Sequence, residues 1–152
     1  MGLDMYLKAR KFVSNWDFRE EEKPVNQAIR EAVGLGHRND EDADIFVTVG
    51  VGYWRKANAI HAWFVRECQD GRDECQATWV SREKLETLLA VCKETIAKQD
   101  ANILPPQSGF FFGSTDADEW YWNGIAHTID VLESVLNDQA LQGWDFEYQS
   151  SW

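Results

Sequence analysis

From residue 99 to residue 152 the chain has no lysine and no arginine, while it carries nine acids there. Phosphate groups are bound chiefly by those two cations, so nucleic-acid binding through this third of the chain is excluded. Only three cysteines are present, an odd number, which argues against a disulfide framework. Long apolar runs are also missing. The longest apolar-leaning stretch, IFVTVGVGYW at 45–54, is far shorter than the ~20 residues of a membrane span, and no membrane partner is expected. The opening MGLDMYLKAR lacks the pattern of a secretion signal, so a cytoplasmic protein is expected. There is no internal repeat, no low-complexity tract, no phosphate-binding GxxxxGK[ST], no CxxC pair and no HExxH. No cofactor is expected.

What remains is rich in apolar and aromatic residues. Of 152 residues, 44% are hydrophobic and 13% aromatic, including eight tryptophans. That is enough for one domain with a real core, and it excludes a disordered chain. The net charge of -11 is unevenly spread. Residues 1–44 hold ten acids and seven bases, residues 45–98 hold seven acids and eight bases, and the rest is purely acidic.

Leu3, Met5 and Leu7 alternate with Asp4, Tyr6 and Lys8, which predicts a strand. Pro24 opens a helix whose apolar face is Val25, Ala28, Ile29, Ala32 and Val33. A β-branched strand follows Asp44 and ends at Gly50 or Gly52. Residues 53–68 read as a central helix, apolar nearly all round. CQATWV is a short strand. Ser81 caps a helix over 82–98, striped by Leu85, Leu88, Leu89, Cys92 and Ile96. Ser114 or Thr115 caps a last helix, which runs to about Asn137 and buries Ile125, Ile129, Leu132 and Leu136. GWDFEYQSSW closes the chain as a strand. The elements do not alternate strictly as βαβ. They predict a single α+β domain over 1–152, a small, mostly antiparallel sheet packed with three to four helices.

Two groups of residues are candidates for function. The first is an acidic stripe on the last helix: Asp116, Glu119, Asn123, Asp130, Glu133 and Asn137 step by three, four or seven. From Asp116 to Glu133 it would span about 25 Å. Either it is a solvated face, or it docks a basic partner with Trp120 as an aromatic anchor. The second group is Arg55, Asn58 and His61, three residues apart on the expected central helix, with Ser114 and Thr115 beside a helix N-terminus. They are candidates to hold an anionic ligand with a flat ring, or His61 is simply a core histidine. The stretch QSGFFFGSTDADEWYWNG at 107–124 has two matching readings, a binding loop or a capped helix with Phe110, Phe111 and Phe112 turned into the core.

Metal readings are weak. His61, Cys68 and Cys75 are seven apart, and seven helical residues rise about 10.5 Å, too far for one zinc. Asp40, Asp42 and Asp44 begin like a calcium loop, but Ile45 stands where that pattern needs glycine and Val51 where it needs its closing Glu.

MGLDMYL at the start, GYWRKANAIHAWFV in the middle and QSGFFFGSTDADEWYW near the end resemble an uncharacterised family of small bacteriophage and prophage proteins. The three blocks cover about a quarter of the chain. The resemblance implies a phage origin, and so the host cytoplasm as the place of action, and it implies no catalytic residue. Small acidic phage proteins often disable host defences. The leading expectation is a non-enzymatic inhibitor of a bacterial defence system, anti-CRISPR-like, which binds a basic nucleic-acid-handling host protein through Asp116, Glu119, Trp120, Asp130 and Glu133. The alternative is a small-ligand binder or sponge for a nucleotide signal. A third reading makes it a nucleotide-acting enzyme with His61 as acid or base.

Overall fold

Alternation along the first strand decides where the core lies. In β1 (Asp4–Val13) Met5, Leu7, Ala9 and Val13 are buried, while between Met5 and Ala9 Tyr6 is exposed and Lys8 half-buried, and Lys11 is the exposed exception among the odd positions. The structure is a computed structural model that describes residues 2–40, 42–108 and 115–152. The other strands are β2 (Ile45–Arg55), β3 (Thr78–Val80) and β4 (Asp145–Ser151). Their order in the sheet is β2-β1-β4-β3. β3 runs antiparallel to β4, with Thr78 opposite Tyr148, Trp79 opposite Glu147 and Val80 opposite Phe146. Among the described residues four α-helices accompany the sheet: α1 (Lys23–Ala32), α2 (Asn58–Cys68), α3 (Arg82–Lys98) and α4 (Glu119–Asn137). The expected α+β class, a small antiparallel sheet packed with helices, is the one found. Among the described residues no helix is long and apolar enough to cross a membrane.

By its contacts the chain divides into two units, residues 1–9 with Gly50–Trp152, and Arg10–Val49. In the larger unit α3 and α4 pack on each other, and α2 packs on α4. Their apolar stripes supply Ile60, Phe64, Leu85, Leu88, Cys92, Ile125 and Leu132 to a core shared with Phe146 and Tyr148 of β4. Ser81 caps α3 as expected, its hydroxyl accepting from the Lys84 N–H. On α4, Ile125 and Leu132 are buried, while Ile129 and Leu136 are half-buried.

The smaller unit overturns one expectation. The helix opened by Pro24 forms, but Val25, Ala28, Ala32 and Val33 are exposed and Ile29 is only half-buried. Buried instead are Asn26 and Arg30. The reason is that α1 seats on backbone carbonyls at the end of β1 and in the following loops. The Asn26 amide donates to the carbonyls of Val13 (3.0 Å) and Ala43 (2.8 Å). Arg30 donates to Asn26 (2.7 Å), to Gln27 (2.5 Å) and to the Arg38 carbonyl. Buried carbonyls need partners, and these two side chains supply them. In the same unit the rings of Phe46, Phe12, Trp16 and Phe18 touch in sequence, with centroids 5.1 to 6.2 Å apart.

Two boundaries also move. The expected helix 53–68 begins only at Asn58, because β2 continues through Tyr53, Trp54 and Arg55. The last helix begins at Glu119 and is capped by Asp118, not by Ser114 or Thr115. Thr115 lies four residues before the first helical residue. Ser114 and the three phenylalanines at 110–112 fall outside the described residues.

Candidate functional site

The end of β2 and the start of α2 build one side of a cleft. Trp54 is buried, and its indole N–H donates to the Thr128 hydroxyl of α4 at 2.9 Å, which pins the strand end to the helix. The next residues turn sharply. Lys56 has φ +57°, a left-handed conformation uncommon without glycine, and its N–H is held by the Leu3 carbonyl at 2.8 Å. Ala57 then precedes α2 and offers no side-chain cap.

The opposite side comes from the approach to α4. The Asp118 carboxylate accepts from the Tyr121 N–H at 3.0 Å. The Tyr121 hydroxyl donates to the Leu104 carbonyl at 2.7 Å, and burial first of all pushes its pKa up to about 12. Between these elements lies a cleft of about 670 Å³. Arg55, Lys56 and Asn58 line it from one side, and Asp116, Asp118, Trp120 and Tyr121 from the other, with Ile60, Gly124 and Ile125 also in its lining. Arg55 is 65% exposed in its side chain and lies 4.0 Å from the Asp4 carboxylate.

The structure therefore separates residues that the sequence had grouped. Arg55 is on a strand and Asn58 opens a helix, yet both reach the cleft. His61 does not line it. It is only 9% exposed and is held at both ring nitrogens. Nδ1 lies 2.7 Å from the Tyr148 hydroxyl, and Nε2 lies 2.9 Å from Asp73. A carboxylate only accepts, so Nε2–H donates to Asp73, and in the neutral ring Nδ1 accepts from Tyr148. Tyr148 in turn stacks on Phe64, with centroids 3.9 Å apart, and burial drives its phenol far above its ordinary pKa. Asp73 also accepts from the Trp152 indole N–H at 3.1 Å. His61 is thus fixed in a closed network. Thr115 is exposed and does not join the lining either.

The acidic stripe is partly as expected. Glu119 and Asp130 are exposed on one face of α4, opposite Ile125, Thr128 and Leu132. Asp116 precedes the helix rather than sitting on it. Glu133 is half-buried and ion-paired with Lys93 of α3 at 2.6 Å. Its charge is partly neutralised by the middle third of the sequence. Trp120 is 84% exposed, in the first turn of α4.

The thiols stand apart from both candidates. Burial pushes Cys68 up to about 11 and Cys92 up to about 12, so neither is a thiolate at neutral pH. Among the described residues no group of three or more His, Cys, Asp or Glu is placed to hold a metal. In the acidic loop, Asp44 accepts from the Asn15 N–H, and Asp40 pairs with Arg38.

The residues that sequence reasoning missed are Lys56, Tyr121 and Gly124 at the cleft and Asp73 and Tyr148 around His61. Only Gly124 carried a usable signal, since a glycine inside an amphipathic helix calls for a reason. No family model matches the chain, and neither a curated protein nor a solved structure matches it.

Proposed function

We propose that this is a non-enzymatic bacteriophage protein that inhibits a bacterial defence system in the host cytoplasm, in the manner of an anti-CRISPR protein. It docks on the basic, nucleic-acid-handling surface of a host or defence protein and occupies a place where phosphates would otherwise sit. The observation that carries this reading is Trp120. An indole that is 84% exposed, with Asp116, Asp118 and Glu119 next to it in sequence, is a large apolar anchor flanked by carboxylates. Interfaces favour tryptophan as an anchor, and complementary charge steers the encounter. Asp130 extends the acidic face along α4, and Glu133 contributes less because Lys93 holds it. The enzyme reading loses support, because His61 lies away from the cleft with both ring nitrogens engaged.

The test is plaque formation on bacteria that carry one defined CRISPR system, with and without this protein. Wild-type protein is expected to restore phage growth, and its binding to the purified effector complex should weaken as salt rises. The Glu119→Lys/Asp130→Lys protein should lose both effects with an unchanged melting temperature. Full immunity in the presence of wild-type protein, across strains with different nucleic-acid-binding effectors, would sink the proposal.

A further inference from the structure

Gly124 is a glycine inside α4, where alanine would make a more stable helix. Packing does not demand it. Among the described residues a β-carbon there would meet only the Ala57 side chain, at 4.0 Å, an ordinary contact. Gly52 shows what a packing demand looks like, since its β-carbon would fall 2.7 Å from Val131. What the missing side chain at 124 preserves is open space in the cleft that Gly124 lines.

The chemistry around that space is mixed. Arg55 and Lys56 bring cations, Trp120 brings an exposed ring, and Asp116 and Asp118 bring carboxylates. A bare phosphate would be repelled by the two acids, and a plain apolar ring would gain nothing from the two cations. One kind of ligand uses all three. Its phosphate lies against Arg55 and Lys56, its base stacks on Trp120, and an amino group on the base edge donates to a carboxylate. The volume of about 670 Å³ lies within the usual range of about 300–1,000 Å³ for small-molecule sites. We propose that the cleft between the start of α2 and the start of α4 binds a purine nucleoside monophosphate. The proposal goes beyond the docking reading and does not rest on it: the two share Trp120, Asp116 and Asp118, but Arg55, Lys56 and Gly124 serve only the cleft, and Glu119 and Asp130 are outside its lining.

The experiment is isothermal titration calorimetry of the full chain with AMP and GMP, their parent nucleosides and inorganic phosphate. At least one purine monophosphate should bind, roughly tenfold or more tighter than its nucleoside and than phosphate alone. Gly124→Leu should abolish that heat without lowering the melting temperature. Arg55→Ala alters an exposed side chain and keeps the test decisive if the leucine variant does not fold. It should weaken binding by roughly tenfold. No heat with either purine monophosphate overturns the proposal. So does a nucleoside that binds as tightly as its monophosphate, or a folded Arg55→Ala protein that binds like wild type.

Discussion

The two ends of the Arg55–His61 segment behave in opposite ways. Arg55 and Asn58 border an open cleft, whereas His61, one turn further along α2, is closed in by Tyr148 and Asp73. The residue types alone suggest one site, and the fold makes two places of them. The difference comes from the strand-to-helix turn at Lys56. It leaves Arg55 on β2, with a side chain that is 65% exposed, while α2 carries His61 toward β4. A polar residue at the mouth of a cleft keeps water within reach and can exchange it for a ligand. A polar residue inside must be satisfied by the protein, and removing its partner costs the full desolvation of what is left.

That contrast can be broken at either end. The largest effect belongs to the closed side. His61→Ala leaves the Tyr148 hydroxyl and part of the Asp73 carboxylate without their partner and opens a void, and should cost roughly 2–4 kcal/mol in urea unfolding. A loss no greater than that of a typical exposed substitution would mean the network is not structural. Tyr148→Phe is milder. It keeps the stack on Phe64 and removes only the hydroxyl that faces Nδ1, for a loss of about 1–2 kcal/mol. The smallest change has the opposite sign and lies on the open side. Gly124→Ala should raise stability by about 0.5–1 kcal/mol, read as a higher melting temperature, because among the described residues the new methyl meets only Ala57, at 4.0 Å. A fall in melting temperature would show that the space beside Gly124 is already spoken for by packing.

Much of the fold was legible because local pattern and burial agree. The period of two in β1 and the Ser81-capped stripe of α3 are both found where the sequence puts them. Legibility fails where one apolar pattern serves two elements. Tyr53 and Trp54 continue the apolar run of α2, yet they belong to β2, and the break falls at Lys56, a residue type that signals no turn. It fails again at α1. The helix is found, but its buried face is polar, because its partners are the carbonyls of Val13, Arg38 and Ala43, which no side-chain pattern can announce. The candidate site was half legible. Arg55, Asn58, Asp116 and Trp120 were singled out and do line one cleft. The contacts that remove His61 from it reach 87 residues along the chain to Tyr148, a distance at which spacing arguments have no purchase.

The seating of α1 by Asn26 and Arg30 has a consequence of its own. A helix held by hydrogen bonds to backbone carbonyls, with Val25 and Val33 already in water, uncovers little new apolar surface when it lifts away. Local opening of that kind carries a small heat-capacity change and a weak dependence on denaturant. Amide exchange in α1 would then be nearly insensitive to low concentrations of urea, while the buried stripes of α3 and α4 exchange only through openings that urea strongly promotes.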